Sequence, residues 1–199
     1  DLGVEIDPTK IPDNEIWYTT IDKSIVSLTS VIPSFPNSSF DVSVLSNEYS
    51  NGIGKIKFSS PITEIGSHSF AAKDNLKSII LPGSIRNIGI NAFVNCRNLE
   101  EVYLKSDDLT IEEMLGAANP LSDCPKLFRI EGPLSSEDKR CLIIDNCLYS
   151  FAPADVLEYT IPQGVKVVKD GAFRVCKLNV ITVPEGVEKI EAHAFQADS

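Results

Sequence analysis

An aliphatic residue followed five positions later by phenylalanine, with a small residue just before it, recurs four times along this chain. The four pairs are Ile65 and Phe70, Ile88 and Phe93, Val168 and Phe173, and Ile190 and Phe195. The first two copies are 23 residues apart, and the last two are 22 residues apart. A period of this length predicts a repeat solenoid, because stacked units share a core that one unit cannot build alone. The phenylalanines are expected to form a ladder in that core rather than an aromatic binding stripe.

A second apolar block, L-x-x-I/V-x-L/V, follows each of the first three phenylalanines. Its copies begin at Leu76, Leu99 and Leu178, and a degenerate copy begins at Leu127. The last apolar residues of the block alternate as in a short strand. Proline follows two of the copies, and it can end a strand because it has no N–H to donate. The block predicts one short strand per coil, with successive strands about 4.8 Å apart.

The combined pattern, L-x-x-I-x-L-P-x-x-I/V-x-x-I-G-x-x-A-F-x-x-C, resembles the BspA-type leucine-rich repeat, also called the Treponema pallidum type. The clearest copy runs from Leu76 to Cys96, and the resemblance covers residues 59–199. Lys73 departs from it, since cysteine is usual there. The resemblance implies an α/β-type leucine-rich-repeat solenoid of about six coils. Such a solenoid is mostly β, with short strands stacked in a right-handed superhelix and few short helices.

Residues 1–58 lack the repeat and are expected to form an N-terminal β-meander that caps the first coil. Residues 15–20, 41–49 and 54–58 are rich in strand formers, and Asn51-Gly52 is a hairpin signal. An open solenoid end would expose both the core and a strand edge, which a cap covers. Trp17 is interpreted as a buried residue of this cap, with a ligand contact as the alternative.

Residues 105–158 interrupt the period within the solenoid. One or two helical turns are expected over residues 109–115, with Asp107 or Asp108 as N-cap. A hairpin is expected further on, with strands over residues 141–144 and 147–151 joined by a two-residue turn, so that Ile144 faces Cys147. Cys96 and Cys124 occupy the same position of successive coils. They are interpreted as buried free thiols, with a disulfide as the alternative.

Composition restricts the function. The net charge of -10 argues against nucleic acid as a partner, because phosphate binding relies on a basic surface. The chain has only two histidines, and neither a catalytic motif nor a metal-ligand pattern is present. His68 and His193 share a repeat position with Asn91 and Gly171, which indicates a turn. We therefore predict a protein without catalytic residues, metal or cofactor.

The expected working surface is the outward side of the repeat strands, where the x positions of L-x-x-I-x-L would line up. Ile80, Tyr103 and Phe128 are expected to be exposed there in register, as in a recognition patch. Packing of these three residues on a loop or on the helix expected within residues 105–123 is the alternative. The predicted ligand-binding residues are Lys77, Ile80, Glu100, Glu101, Tyr103, Phe128, Arg129, Glu131, Asn179 and Thr182.

The resemblance implies a bacterial surface or secreted protein that binds host or microbial surface proteins, extracellular-matrix proteins among them. We therefore expect a non-catalytic protein-binding or adhesion module at an extracellular location. Membrane association would be peripheral, through a removed signal or a lipid anchor. The acidic charge suggests a partner with a basic patch or a calcium-bridged contact. The alternatives are a carbohydrate-binding module that stacks sugars on Tyr103 and Phe128, and a structural spacer.

Overall fold

The structure is a computed structural model that describes residues 7–28, 40–114 and 119–196. These residues form a β-solenoid of about five turns with a single 3-10 turn at Pro8–Lys10. No helix in the described ranges is long and apolar enough to cross a membrane. The strands are β1 Glu15–Thr20, β2 Val44–Ser50, β3 Ile53–Phe58, β4 Glu64–Ile65, β5 Leu76–Leu81, β6 Asn87–Ile88, β7 Glu101–Leu104, β8 Thr110–Ile111, β9 Arg129–Glu131, β10 Cys141–Ile144, β11 Cys147–Phe151, β12 Glu158–Thr160, β13 Val167–Val168, β14 Val180–Thr182 and β15 Lys189–Ile190.

Two walls of parallel strands enclose the first part of the core. The L-x-x-I-x-L blocks supply β5, β7 and β9, whose buried residues Ile79, Val102 and Ile130 are directly aligned. The aliphatic residues before the phenylalanines supply the opposite wall of β4, β6 and β8. The predicted stacking of short strands is confirmed, because each coil buries its alternating apolar residues against its neighbours.

The solenoid starts a second run of strands at a hairpin. Strands β10 and β11 pair antiparallel with Ile144 opposite Cys147, as the sequence predicts. Strand β11 then pairs parallel with β13, and β13 pairs with β15. Strand β12 pairs parallel with β14 in a separate two-stranded sheet.

The phenylalanines form the predicted ladder. The rings of Phe70 and Phe93 stack with centroids 5.1 Å apart and planes 6° apart. The second run repeats this arrangement at Phe151, Phe173 and Phe195, with centroid distances of 4.9 and 5.2 Å. Such aromatic contacts add to the free energy gained by burying the rings.

The N-terminal strands join the repeat strands in a single six-stranded sheet. Its order is β2-β3-β1-β5-β7-β9, with β1 antiparallel to both neighbours. The predicted hairpin at Asn51-Gly52 joins β2 to β3. The order departs from a simple meander, in which β1 would pair with β2. Ile16 and Tyr18 of β1 are fully buried and extend the core past β5.

The helical turns expected over residues 109–115 are not formed by the described part of this segment. Thr110–Ile111 forms β8 instead, and Ile111 aligns with Ile88 on the wall. Leu109 and Ile111 are both buried, because alternate residues of an extended segment point to the same side, here toward the core. Leu115 lies outside the described residues.

A corner turn follows the ladder position in four coils, two residues past Phe70, Phe93, Leu121 and Phe173. The corner residue has a left-handed backbone, with φ near 60°, at Ala72, Asn95, Asp123 and Val175. Backbone hydrogen bonds connect successive corners, for example from Asn95 N–H to the Ser122 carbonyl at 3.1 Å. We call this series the corner ladder.

The five cysteines are free. Cys96 and Cys124 are buried, and their thiols lie 3.0 and 3.3 Å from the carbonyl oxygens of Phe70 and Phe93. The interpretation of this pair as buried free thiols is therefore confirmed, and the alternative, a disulfide between them, is not formed.

Candidate binding surface

The outer face of the six-stranded sheet is the side turned away from the core. Alternate residues of a strand point to opposite sides, so the buried residues of each strand define its outward ones. The outer face therefore combines side chains from the N-terminal strands with side chains from the repeats. The sequence pattern predicts only repeat residues on this surface.

Five strands contribute one residue each to a central row on the outer face. Lys55 lies opposite Trp17, Trp17 opposite Ile80, Ile80 opposite Tyr103, and Tyr103 opposite Glu131. Directly opposite side chains on neighbouring strands are in contact distance of each other. The central row is thus a continuous line of side chains that crosses from β3 to β9.

Both aromatic rings of the central row are held by a glutamate two residues earlier on the same strand. Trp17 Nε1 donates to Glu15 Oε2 at 2.6 Å, and the Tyr103 hydroxyl donates to Glu101 Oε2 at 2.9 Å. Burial, followed by the hydrogen bond to Glu101, raises the pKa of Tyr103. The rings are therefore fixed in orientation, which lowers the entropy that they lose on binding a partner.

Cations lie over the faces of these rings. Lys55 Nζ is 4.3 Å from the centre of the Trp17 ring, and the Arg129 guanidinium is 5.8 Å from the centre of the Tyr103 ring. Both distances are within the range of cation–π attraction. One face of each ring is thereby occupied by a side chain of this protein.

Ile80 and Trp17 differ from the sequence prediction. Ile80 retains only 2% of its surface because it lies between two rings, so it is not the exposed residue that was predicted. Trp17 is partly exposed rather than buried. Outward position on a strand does not by itself expose a residue when larger neighbours stand on both sides.

Arg129, Glu131 and Lys139 form a small ion-pair network at the far end of the central row. Arg129 Nη2 and Lys139 Nζ lie 2.7 and 3.2 Å from the carboxylate of Glu131. Burial alone would raise the pKa of Glu131, but the hydrogen bonds from Arg129 and Lys139 outweigh it and lower this pKa. Glu101 lies opposite Arg129 on the neighbouring strand.

Phe128 does not lie in the central row. Its backbone N–H binds the Glu100 carbonyl, and the Glu100 N–H binds the Lys77 carbonyl, so these three residues share one repeat position. The prediction that Phe128 is in register with Ile80 and Tyr103 is wrong, since Glu131 occupies that place. Phe128 is exposed, at 39% of its surface, at the beginning of the repeat strands.

Asn179 and Thr182 are exposed but belong to a different sheet. Thr182 lies on β14, which pairs with β12. Asn179 directly precedes β14, and its N–H binds the Leu157 carbonyl at 2.7 Å. The predicted site residues therefore divide into a group of eight on or beside the six-stranded sheet and a group of two on the second run.

The outer face is balanced in charge although the chain carries ten net negative charges. The six strands contain four cations and four carboxylates, namely Lys55, Lys57, Lys77 and Arg129, and Glu15, Glu48, Glu101 and Glu131. The net charge therefore resides elsewhere on the molecule. It gives no reason to expect a basic partner at this face.

The segment before β1 borders the outer face at the end of the repeat strands. Lys105 Nζ donates to the carbonyls of Thr9 and Ile11 at 3.4 and 3.5 Å. Ile11 is almost fully buried, as Ile80 is, and neither residue belongs to the hydrophobic core enclosed by the strands. Each is therefore covered by side chains outside that core.

The two histidines lie at turns. His68 has a left-handed backbone with φ of 60°, as do the equivalent Asn91 and Gly171, so the predicted turn is confirmed. His193 Nδ1 lies 3.0 Å from Asp170 Oδ2. Within the described ranges, no group of three or more histidine, cysteine, aspartate or glutamate side chains is arranged to hold a metal ion.

Stacked parallel coils with two strand walls define a leucine-rich-repeat solenoid, a fold that is typically a non-catalytic scaffold. The family model of the BspA type leucine rich repeat region matches residues 42–124 and 143–199 in six copies, and the chain belongs to this family. This is a family of protein-interaction and surface proteins, generally found on bacterial surfaces. Comparison with curated proteins and with solved structures gives no match.

Proposed function

We propose that this protein is a non-catalytic adhesion module of a bacterial surface or secreted protein, and that it binds a partner protein with the outer face. The observation that carries the proposal is the central row with its neighbours. Trp17, Tyr103 and Arg129 are of the three residue types that most often dominate the energy of protein interfaces. They stand together on a rigid sheet, and their orientation is fixed by glutamates and by each other.

The geometry favours a protein over a sugar as the partner of the outer face. A sugar ring stacks on an open aromatic face, whereas Lys55 and Arg129 lie over the faces of Trp17 and Tyr103. A protein can instead pack against ring edges and apolar side chains, and it can exchange hydrogen bonds with the paired charges around them. The balanced charge of the face suits a partner surface of mixed sign.

A panel binding assay tests the proposal. The purified chain is passed over immobilised collagen, laminin and fibronectin, and over a glycan array. The variants are Trp17→Ala, Tyr103→Ala and Arg129→Ala. We expect at least one matrix protein to bind, and each variant to weaken it by about thirtyfold, corresponding to about 2 kcal/mol at an interface hot spot.

The matched control is the double variant Asn179→Ala, Thr182→Ala, whose residues are exposed on the other sheet. It should change the affinity by less than about twofold. Equal losses in the control and in the outer-face variants would place the binding elsewhere. An absence of binding to the matrix proteins would support the spacer function instead, and glycan binding lost with Tyr103 would support a carbohydrate-binding module.

A further inference from the structure

We propose that a cavity at one corner of the solenoid binds a small, neutral, hydroxyl-rich ligand of the size of one sugar ring. The cavity has a volume of about 200 Å³ and lies away from the outer face, among the turns that follow the phenylalanine ladder. Its walls include Asn95, Arg97, Asp123, Phe151, Pro153 and Arg174. It is independent of the function proposed for the outer face.

The cavity exists because the corner ladder is interrupted there. Phe93 and Asn95 donate backbone hydrogen bonds to the next corner, and Phe151 and Phe173 do the same further along. Within the described ranges, no backbone hydrogen bond joins residues 119–125 to residues 148–153. The hairpin of β10 and β11 replaces a regular coil at this point, so its Phe151-Ala152-Pro153 turn leaves space that a full corner would fill.

One side chain replaces the missing backbone bonds. Asn119 Nδ2 donates to the Gly171 carbonyl at 2.9 Å, and its Oδ1 accepts hydrogen bonds from Leu121 N–H at 2.9 Å and from the Ser150 hydroxyl at 2.5 Å. Asn119 is nearly fully buried. The walls of the cavity are therefore held in place without a ligand.

Three polar groups at the cavity have hydrogen-bonding capacity to spare. The side chains of Asn95 and Arg97 are exposed and make no hydrogen bond or ion pair within the described residues. Asp123 Oδ2 accepts one bond, from the Ser122 hydroxyl at 3.2 Å, and its buried Oδ1 accepts none. A carboxylate can accept about four hydrogen bonds, so Asp123 is far from saturated.

The combination of these groups selects the chemistry of the ligand. A simple anion would be repelled by Asp123, and a simple cation by Arg97 and Arg174. A hydroxyl group both donates and accepts, so it can satisfy the carboxylate, the guanidinium and the amide in turn. Phe151 and Pro153 supply apolar wall for the C–H groups of a sugar ring. The volume is below that of a pocket for a drug-sized molecule, which limits the ligand to one ring.

Val175, which also lines the cavity, occupies the left-handed corner position that recurs along the corner ladder, with φ of 58°. A left-handed backbone is rare for a β-branched residue, so this corner is strained. The equivalent corners at Asn95 and Asp123 carry the residue types that tolerate this conformation.

Ligand-observed NMR with methyl glycosides of glucose, galactose, mannose and N-acetylglucosamine tests the proposal, with glycine and alanine as zwitterionic comparison ligands. We expect at least one glycoside to bind with a Kd of about 1 mM, as befits a ligand of about twelve heavy atoms. Arg97→Ala and Asp123→Ala should each weaken it by about tenfold or more. Asp123→Asn keeps a residue that tolerates the corner backbone, and it should also weaken binding if the alanine variant does not fold.

The matched controls are Glu185→Ala and Lys177→Ala, which remove an exposed carboxylate and an exposed cation that do not line the cavity. They should leave the Kd unchanged. The proposal is overturned if no glycoside binds, which would make the cavity a site for water only. It is also overturned if the free amino acids bind and the glycosides do not, or if binding survives both Arg97→Ala and Asp123→Asn.

Discussion

Trp17 of the N-terminal segment lies directly opposite Ile80 of the first repeat strand, and this isoleucine is almost fully buried on the outside of the sheet. Two side chains that are 63 residues apart in the sequence thus lie side by side on the outer face. The N-terminal strands therefore do more than cover the end of the core. They supply Trp17 and Lys55 to the outer face.

The burial of Ile80 predicts a large effect of its truncation on stability. Ile80→Ala should lower the free energy of unfolding by about 2–4 kcal/mol, as for a core isoleucine. Lys77→Ala, on the same strand but exposed, should change it by less than about 0.5 kcal/mol. Urea denaturation followed by circular dichroism measures both, and equal values for the two variants would contradict the packing of Ile80 between the rings.

The phenylalanine ladder offers a matched pair at one repeat position. Phe93 is almost fully buried, whereas Phe195 retains 40% of its surface. Phe93→Ala should cost about 3–5 kcal/mol and Phe195→Ala about 1 kcal/mol, because the exposed ring loses less surface and leaves no closed cavity. Thermal or urea unfolding of the two variants checks this order, and a larger cost at Phe195 would show that the last coil is packed differently.

Gly89 is required by the close approach of two coils. A Cβ atom at this position would lie 2.3 Å from the backbone nitrogen of Ser67, in the preceding coil. Gly89→Ala should therefore destabilise the fold by more than about 2 kcal/mol, since backbone must move. At Gly83 an added Cβ would meet its nearest atoms at 4.0 Å, so Gly83→Ala serves as the control. A neutral result at Gly89 would mean that the coils can separate at little cost.

A carboxylate on the opposite wall predicts a pH dependence. Burial alone would raise the pKa of Glu191, but hydrogen bonds from Lys189, the Asp170 N–H and Lys169 lower it. A pKa depressed in the folded state stabilises the protein above the ordinary glutamate value, and this stability is lost as the pH falls through the folded pKa. The loss therefore begins below about pH 4.5, the ordinary value for this group.

Replacement of Glu191 isolates the contribution of its carboxylate to the free energy of unfolding. Glu191→Gln should lose about 1–2 kcal/mol of stability at pH 7 and less at pH 3, because the wild type has then lost the same interactions. Glu188→Gln is the control, since its side chain is largely exposed and, among the residues that the structure describes, forms an ion pair with Lys166 alone. Urea unfolding from pH 3 to pH 7 gives the difference, and a constant difference across this range would rule out the titration of Glu191 as its source.

The cysteines should differ in reactivity in the native protein. Cys147 and Cys176 are partly exposed and Cys141 is buried. Burial raises the pKa of all three thiols, to about 12 for Cys141 and for Cys176, while Lys169 counteracts the rise at Cys147. Since the thiolate is the reactive form, a thiol reagent at pH 8 should modify Cys147 first, and Cys147→Ser should abolish the fast phase. All five thiols should react after denaturation without a reductant. Fewer than five would reveal a disulfide.

The repeat positions were predictable from the sequence because they repeat. Residues that recur at a fixed interval occupy equivalent places in successive coils, which is why the ladder at Phe70 and Phe93 and the aligned strand residues at Ile79 and Val102 were foreseen. The hairpin at residues 141–151 was also predictable near its two-residue turn, where Ile144 faces Cys147. A shift of register between Leu142 and Ile143, which the turn does not determine, then places Cys141 opposite Phe151.

Other features depended on neighbours that the pattern does not name. The partial exposure of Trp17 follows from β1 lying beside β5, a pairing between strands far apart in the chain. The extended backbone at Ile111 follows from the strand next to it, which outweighs the local preference for a helix. The misplacement of Phe128 had a simpler origin. The residue between the last two apolar positions is Ile80 and Tyr103 in two coils, and by the same count it is Glu131 in the next.

The interrupted corner ladder has a mechanical consequence. The strand pairing that joins successive coils runs along the axis of the solenoid, so tension along this axis is carried by one coil junction after another, in series. In such a chain the weakest junction yields first. At the corner between residues 119–125 and 148–153, the side chain of Asn119 takes the place of backbone bonds, and beside it a backbone bond from the Ala154 N–H to the Leu127 carbonyl, at 2.9 Å, joins the two runs. Under load, the two runs of coils should part there before either run unravels.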